Sequence, residues 1–216
     1  MKDTAETPVL PTTEGVSERI LQILTESAHL FAVKGYDGTS MSDIASACGI
    51  SKSLLYHHFK SKDEIYSRIS SGSTHQLYAY VAQRIPDGVP AAEKVRAFML
   101  ASAEYFDRYR WAWMTSSTTF WNDVKRSGQK ERLMWRDRYE KLVRDLLEEA
   151  IEAGEIRPDI DVPITGRLVL SAINWMHRWY DPQKALSAPQ IADIYFNVLF
   201  NGLKADAKSQ SRQAMR

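Results

Sequence analysis

Cysteine is nearly absent: Cys48 is the one thiol in 216 residues. That excludes an internal disulfide framework, and with no CxxC or HExxH spacing it removes the common zinc signatures as well. Long apolar runs are missing too. Nothing approaches the ~18 residues a membrane span requires, so the expected protein is soluble, makes no membrane contact, and with its lone thiol suits a reducing compartment, the cytoplasm. The opening stretch MKDTAETPVLPTTEG holds no apolar block and resembles a loose tail rather than a signal peptide. An excess of one charge is also lacking, since 28 Lys and Arg face 27 Asp and Glu for a formal net of +1. Bulk charge therefore says nothing about partners, which must be read from local placement. Credible strand pairs and internal repeats are not found.

What is there is helical periodicity over most of the chain, with 44% hydrophobic residues to build a core. From Ser17 to Val33 the residues Ile20, Leu24, Ala28 and Phe31 recur at helical spacing. Gly35 stops that pattern. Thr39 or Ser40 can cap a short helix over Met41 to Ala47, with Asp43 placed for a capping box from Ser40. Gly49 interrupts, Ser51 can cap a third helix to about His58, and Ser61 with Glu64 opens a longer one from Lys62 to about Arg84. After the break PDGVP, helices are expected from about Ala91, from about Gln129 to Ala153, from about Pro163 to Tyr180 and from Ser187 to Lys204. The predicted fold class is all-α. Its expected organisation is a tail at 1–16, a three-helix domain at 17–64, a larger helical domain at 65–206 and a tail at 207–216.

Met41 to Ala47, a glycine-containing turn and Lys52 to Phe59 make a helix-turn-helix pattern. Ile44, Ala45, Ile50, Leu55 and Phe59 are placed to seal a small core, which leaves Lys52, Ser53, Tyr56 and His57 on the outer side. Lysine suits phosphate, hydroxyls suit phosphate or base edges, and a helix N-terminus suits an anion. Leu54 is the odd residue, an exposed leucine being useful where it meets a thymine methyl. Residues 1–70 as a whole hold seven Lys or Arg against nine Asp or Glu, whereas Ser51 to Lys62 holds three lysines and no acid. Placement outweighs the sum here, and modest DNA affinity with strong salt sensitivity is expected.

The stretch FAVKGYDGTSMSDIASACGISKSLLYHHFKSKDEIY resembles the DNA-binding domain of the tetracycline-repressor family of bacterial transcription regulators. The likeness runs over nearly fifty positions from Ile20 to Tyr66. It departs at Ser53 and Leu54, where many members carry Gly-Thr, so a base preference does not transfer. The resemblance implies that Thr39, Ser51, Lys52, Tyr56, His57 and Lys62 touch DNA, mainly its backbone. The expected DNA-facing set is these six with Ser40, Ser53 and Leu54. It further implies double-stranded operator DNA with two half-sites as a partner, a homodimer, and release by a small-molecule effector bound in the remaining two thirds of the chain, with no cofactor.

All six tryptophans fall in that remainder. Trp111, Trp113, Met114, Phe120, Trp121, Trp135, Trp175 and Trp179 suit either plain core or an apolar ligand cavity between helices. Arg108 to Arg144 holds ten basic residues and four acids, which fits either a solvated helix face or a mouth that meets phosphates. The terminal AINWMHRWYDPQKALSAPQIADIYFNVLFNGL resembles the subgroup of the family that responds to coenzyme A thioesters in fatty-acid, aromatic-acid or steroid catabolism. That would put an acyl group among the tryptophans and arginines such as Arg178 near the phosphates. Lipophilic aromatic compounds, acting on a regulator of an efflux pump, are the alternative effector class. Leu168, Ala172, Ile191, Ile194, Tyr195, Val198 and Leu199 lie on two helices apolar so far round that they must be buried, and pairing with a second copy does this. Two-fold symmetry then sets two recognition helices ~34 Å apart.

Rival classes fare worse. A thiol enzyme using Cys48 with His57 or His58 requires reactivity from a turn that wants a small apolar residue. A metal site is disfavoured because adjacent His57 and His58 diverge on a helix and His29, His75 and His177 are scattered. A bare helical scaffold leaves the Lys, Ser and Tyr of one short helix unexplained. The chain is therefore expected to be a regulator and not an enzyme.

Overall fold

The computed structural model describes residues 17–118 and 129–203. The expected tails and the predicted site residues Phe120 and Trp121 lie outside the described residues. Among the described residues the regular structure is nine α-helices and one 3₁₀ turn.

Short-range capping chemistry sets the first helices. The helix α1 (Glu18–Lys34) starts where the Ser17 hydroxyl accepts from Ile20 N–H and stops at Gly35, whose φ is 77°. Helix α2 (Met41–Ala47) begins with a complete capping box: Ser40 Oγ accepts from Asp43 N–H, and the Asp43 carboxylate accepts from Ser40 N–H. Helix α3 (Lys52–His58) is capped by Ser51, whose Oγ accepts from Leu54 N–H at 3.1 Å. Helix α4 (Lys62–Ala82) follows after a three-residue link; Ser61 Oγ accepts from Glu64 N–H, while the Glu64 carboxylate takes Lys60 N–H instead of closing the box on Ser61. Later come α5 (Ala91–Arg108), α6 (Arg110–Thr118), α7 (Gln129–Glu152), α8 (Val162–Asn174), the 3₁₀ turn Trp175–Arg178, and α9 (Ala188–Leu203).

Two elements differ from the sequence expectation. A separate α6 was not foreseen, because only Tyr109 separates it from α5 and no capping residue marks its start. The helix expected from Pro163 to Tyr180 ends at Asn174 and tightens into the 3₁₀ turn. Buried Met176 supplies its carbonyl to both Trp179 N–H and Tyr180 N–H, and Pro182 keeps Asp181 from continuing a helix.

The chain packs as two units: Met1–Leu77 with Arg108–Arg136, and Tyr78–Asp107 with Asp137–Arg216. This division differs from a cut at 64/65 because α6 and the first part of α4 pack with the helix-turn-helix core. In the first unit Ile23, Leu24, Ala28 and Phe31 of α1 enclose Ile44, Ala45, Leu55, Phe59, Ile65, Tyr66, Ile69 and Ala112. Burying each Leu, Ile or Phe this fully stabilises by about 1.5–3 kcal/mol. In the second unit Phe98, Met99 and Phe106 of α5, Val143 and Leu147 of α7, Val169 and Ile173 of α8, and Ala192 of α9 are buried, and Met99, Leu147 and Val169 line one apolar space with Phe196. There the Ser102 hydroxyl meets buried Tyr139 at 2.5 Å. The Glu155 carboxylate accepts from Ala91 and Ala92 N–H at 3.1 and 2.7 Å, satisfying two orphan donors at the start of α5.

The turn between α2 and α3 rests on Gly49, whose φ is 64° and whose missing Cβ would meet nothing within 4 Å. Replacement therefore costs backbone strain and no clash. Gly49→Ala is expected to lower stability by about 1 kcal/mol and Gly49→Asn by less, measured as a shift of the urea midpoint at constant slope.

Candidate nucleic-acid interface

The buried side of α3 is set first. Leu55 and Phe59 are fully buried, Ile50 packs partly buried beside them, and Ile44 and Ala45 of α2 close the other side. With Leu55 fixed inward, helical geometry turns Lys52, Ser53, Leu54, Tyr56 and His57 outward, and all five are exposed. The predicted outer face and the predicted inner face of α3 are thus both found as expected. Ser51 at the cap is exposed too, although its hydroxyl is committed to Leu54 N–H. His58 is half-buried and its ring lies 5.4 Å from His57 at a steep angle, so the two imidazoles diverge.

The other predicted DNA-facing residues have internal duties. Thr39 is buried, its hydroxyl donating to Gly35 O at 2.8 Å. Lys62 sends its ammonium to two carbonyls, Tyr36 O and Thr39 O, each at 2.7 Å, and lies 4.1 Å from the centre of the Tyr36 ring. The Tyr36 hydroxyl donates to the Asp63 carboxylate at 2.6 Å. Lys62 and Asp63 together fasten the loop before α2 to the first turn of α4, and these links over more than twenty residues carry no local sequence signal. Ser40 is exposed, but its hydroxyl donates to the Asp43 carboxylate while accepting from Asp43 N–H.

Sequence reasoning also missed what α6 does. Thr115 Oγ1 donates to Ala28 O at 3.0 Å, and the Tyr66 hydroxyl donates to Thr115 O. Trp111 is half-buried with its ring edge-on to His29 at 4.6 Å. These contacts bind α6 to α1 within the first unit. Cys48 sits buried beneath the turn, its carbonyl accepting from Gln22 Nε2, and burial pushes its thiol up to about 11. A thiol held that far up is a poor nucleophile.

The proposed ligand residues among those described are divided between the two units. Trp113 is buried, Met114 is half-buried, and Trp135 stacks on His75 at 4.1 Å, all in the first unit. Trp175 and Trp179 belong to the second unit, where they are 61% and 46% exposed, with the Arg178 guanidinium 5.4 Å from the Trp175 ring. Of the proposed dimer residues, Leu168, Ile194 and Val198 are exposed and Ala172, Tyr195 and Leu199 are half-buried. Ile191 is 7% exposed and so is already buried within the single chain. No helix among the described residues is long and apolar enough to cross a membrane, and no group of three or more His, Cys, Asp or Glu among them could hold a metal ion.

A capped two-helix element with one sealed face and one face of Lys, Ser, Tyr and His defines a helix-turn-helix DNA-binding protein. Two family models match the chain: the description "Bacterial regulatory proteins, tetR family" covers residues 23–69, and "Tetracyclin repressor-like, C-terminal domain" covers residues 88–203. The chain belongs to the tetR family and is a DNA-binding transcriptional regulator. It is 28% identical over 200 residues to the HTH-type transcriptional repressor KstR2 of Rhodococcus jostii, spanning 91% of this chain and 96% of that protein. The structure of the ketosteroid transcriptional regulator KstR2 of Mycobacterium tuberculosis superposes with a TM-score of 0.79 at 25% identity, covering 92% of this chain and all of that one. AibR in complex with isovaleryl coenzyme A and operator DNA gives a TM-score of 0.67 at 30% identity, over 85% of this chain and 98% of AibR.

The capping box makes the interface acid-sensitive in a defined window. Hydrogen bonds from the Ser40 hydroxyl and backbone, then from Lys34, hold the Asp43 carboxyl down from 3.8 to about 2. A depressed folded-state value means stabilisation that is complete above the unfolded value and lost as pH falls towards the folded one. Asp43→Asn is therefore expected to be less stable than the wild type above about pH 4, with the gap closing by about pH 2. Urea unfolding at a series of pH values checks this, and a gap independent of pH contradicts it.

Proposed function

We propose that the protein is a homodimeric repressor that leaves its operator when an acyl-coenzyme A thioester binds. The observation that carries the effector class is the likeness over 85% of the chain to AibR, whose structure holds isovaleryl coenzyme A together with operator DNA. Likeness to a ketosteroid regulator supports acyl groups of the size that a bulky ring system presents. A regulator of this kind works in the cytoplasm and needs no catalytic group.

The DNA-facing surface is Lys52, Ser53, Leu54, Tyr56 and His57, with the exposed rim at Ser40 and Ser51. Thr39 and Lys62 serve it from within by fixing the loop 36–39, and their backbone neighbours meet phosphate. Dimer formation is supported by one stripe on α8 and the 3₁₀ turn, where Ile164, Leu168 and Trp175 recur exposed, and by Ile194 and 68% exposed Val198 on α9. An apolar stripe of that length left in water is a liability that a second copy removes. Trp175 and Trp179 fit this stripe at least as well as they fit a ligand site. Trp113, Met114 and Trp135, which lie in one unit, are the better candidates for the acyl group.

The proposed switch has two states. To shift operator occupancy from 99:1 to 1:99, the thioester must prefer the released form by about 5.5 kcal/mol. One route for that coupling is α4, which contributes to both units and in which Ser71 and Thr74 hydroxyls bond back to the carbonyls of Ser67 and Ser70. Such back-bonding loosens a helix interior.

The test is retention of the full-length protein on an operator selected from random duplexes, followed by addition of acyl-coenzyme A thioesters of graded size. Release by one thioester, with free coenzyme A and the free acid inactive, is the expected result. Release by lipophilic aromatic compounds alone replaces the effector class, and insensitivity to every compound removes it.

A further inference from the structure

Leu54 is the one aliphatic side chain on the exposed face of α3, and it is 39% exposed between polar neighbours. It cannot turn away. Successive residues of a helix are ~100° apart, and the next residue, Leu55, is fully buried, so rotating α3 to hide Leu54 would expel Leu55 into water. The backbone is pinned as well, because Leu54 N–H is the group that the Ser51 hydroxyl caps.

We propose that Leu54 reads a thymine 5-methyl group in each operator half-site, and that this apolar contact fixes the base at one position. The inference rests on α3 being the recognition helix. A leucine can neither donate nor accept a hydrogen bond, while every base pair offers polar groups in the major groove and thymine alone adds a methyl. Against any other base Leu54 desolvates a donor or acceptor without replacing its bond, which costs affinity. The same side chain therefore attracts one base and penalises the other three. Polar recognition remains with Lys52, Ser53, Tyr56 and His57, whose chemistry suits phosphate and base edges.

The experiment uses the full-length protein and an operator selected from random duplexes. Each thymine of a half-site is replaced in turn, symmetrically in both halves, by deoxyuridine, which lacks only the methyl. One thymine is expected to matter, by about fourfold per half-site and about fifteenfold for the symmetric pair, the value of one buried methyl-sized group. Leu54→Ala should bind thymine and uracil equally at that position, and Leu54→Met should retain the discrimination. Wild-type protein indifferent to every replacement overturns the proposal, as does an equal thymine-to-uracil ratio in wild type and Leu54→Ala. Failure to select any preferred sequence overturns the regulator reading along with it, and differs visibly from the other outcomes because no operator is then obtained.

Discussion

The inward burial of Leu55 and Phe59 is the constraint on which the rest depends. A seven-residue helix lies well below the length at which isolated helices persist in water. Helix α3 exists because those two side chains are fully buried among Ile44, Ile65 and the inner face of α1, and because Ser51 satisfies an orphan donor at its start. The same burial aims the helix. Once Leu55 points in, Lys52, Ser53, Leu54, Tyr56 and His57 have only the outside left to them, so the stability of the helix and the face proposed to read DNA share one geometric cause.

Around that cause the first unit adds fasteners rather than chemistry. Lys62 holds the carbonyls of Tyr36 and Thr39, Asp63 holds the Tyr36 hydroxyl, and Thr115 of α6 holds Ala28 of α1. Each is charge-assisted or buried, the two conditions under which a hydrogen bond matters most. A cation spent on two carbonyls has less to give a phosphate, so in the proposed DNA-facing surface the exposed lysine of α3 is assigned more of the salt-dependent attraction. On that proposal the near-zero net charge ceases to be a puzzle, since a small patch and not the average of the chain is what faces DNA.

Much of this was legible in the sequence, and the legible part shares one property. The ends of α1, α2 and α3 were placed to within a residue because Ser17, Ser40, Asp43, Ser51, Gly35 and Gly49 act on their immediate neighbours. What the sequence hid is long-range. The ammonium of Lys62 reaches carbonyls 23 and 26 positions away, Thr39 disappears into the loop it was expected to present, and α6 starts without a cap. The tryptophans were a single group in composition but divide between two packing units. On α9, Ile191, Ile194 and Val198 are alike in hydrophobicity, yet the first is core and the others are exposed; burial within a chain and burial between chains write the same letters.

The most direct measurement is amide hydrogen exchange over Lys52–His58 in wild-type protein and Leu55→Ala, paired with retention on the selected operator. Truncating a fully buried leucine costs about 2–5 kcal/mol. The prediction is that α3 amides in the variant exchange freely and operator preference disappears, while amides of Val143 to Ala150 in the second unit stay protected. Intact operator preference in a variant whose α3 amides exchange freely would contradict the dependence of recognition on that burial.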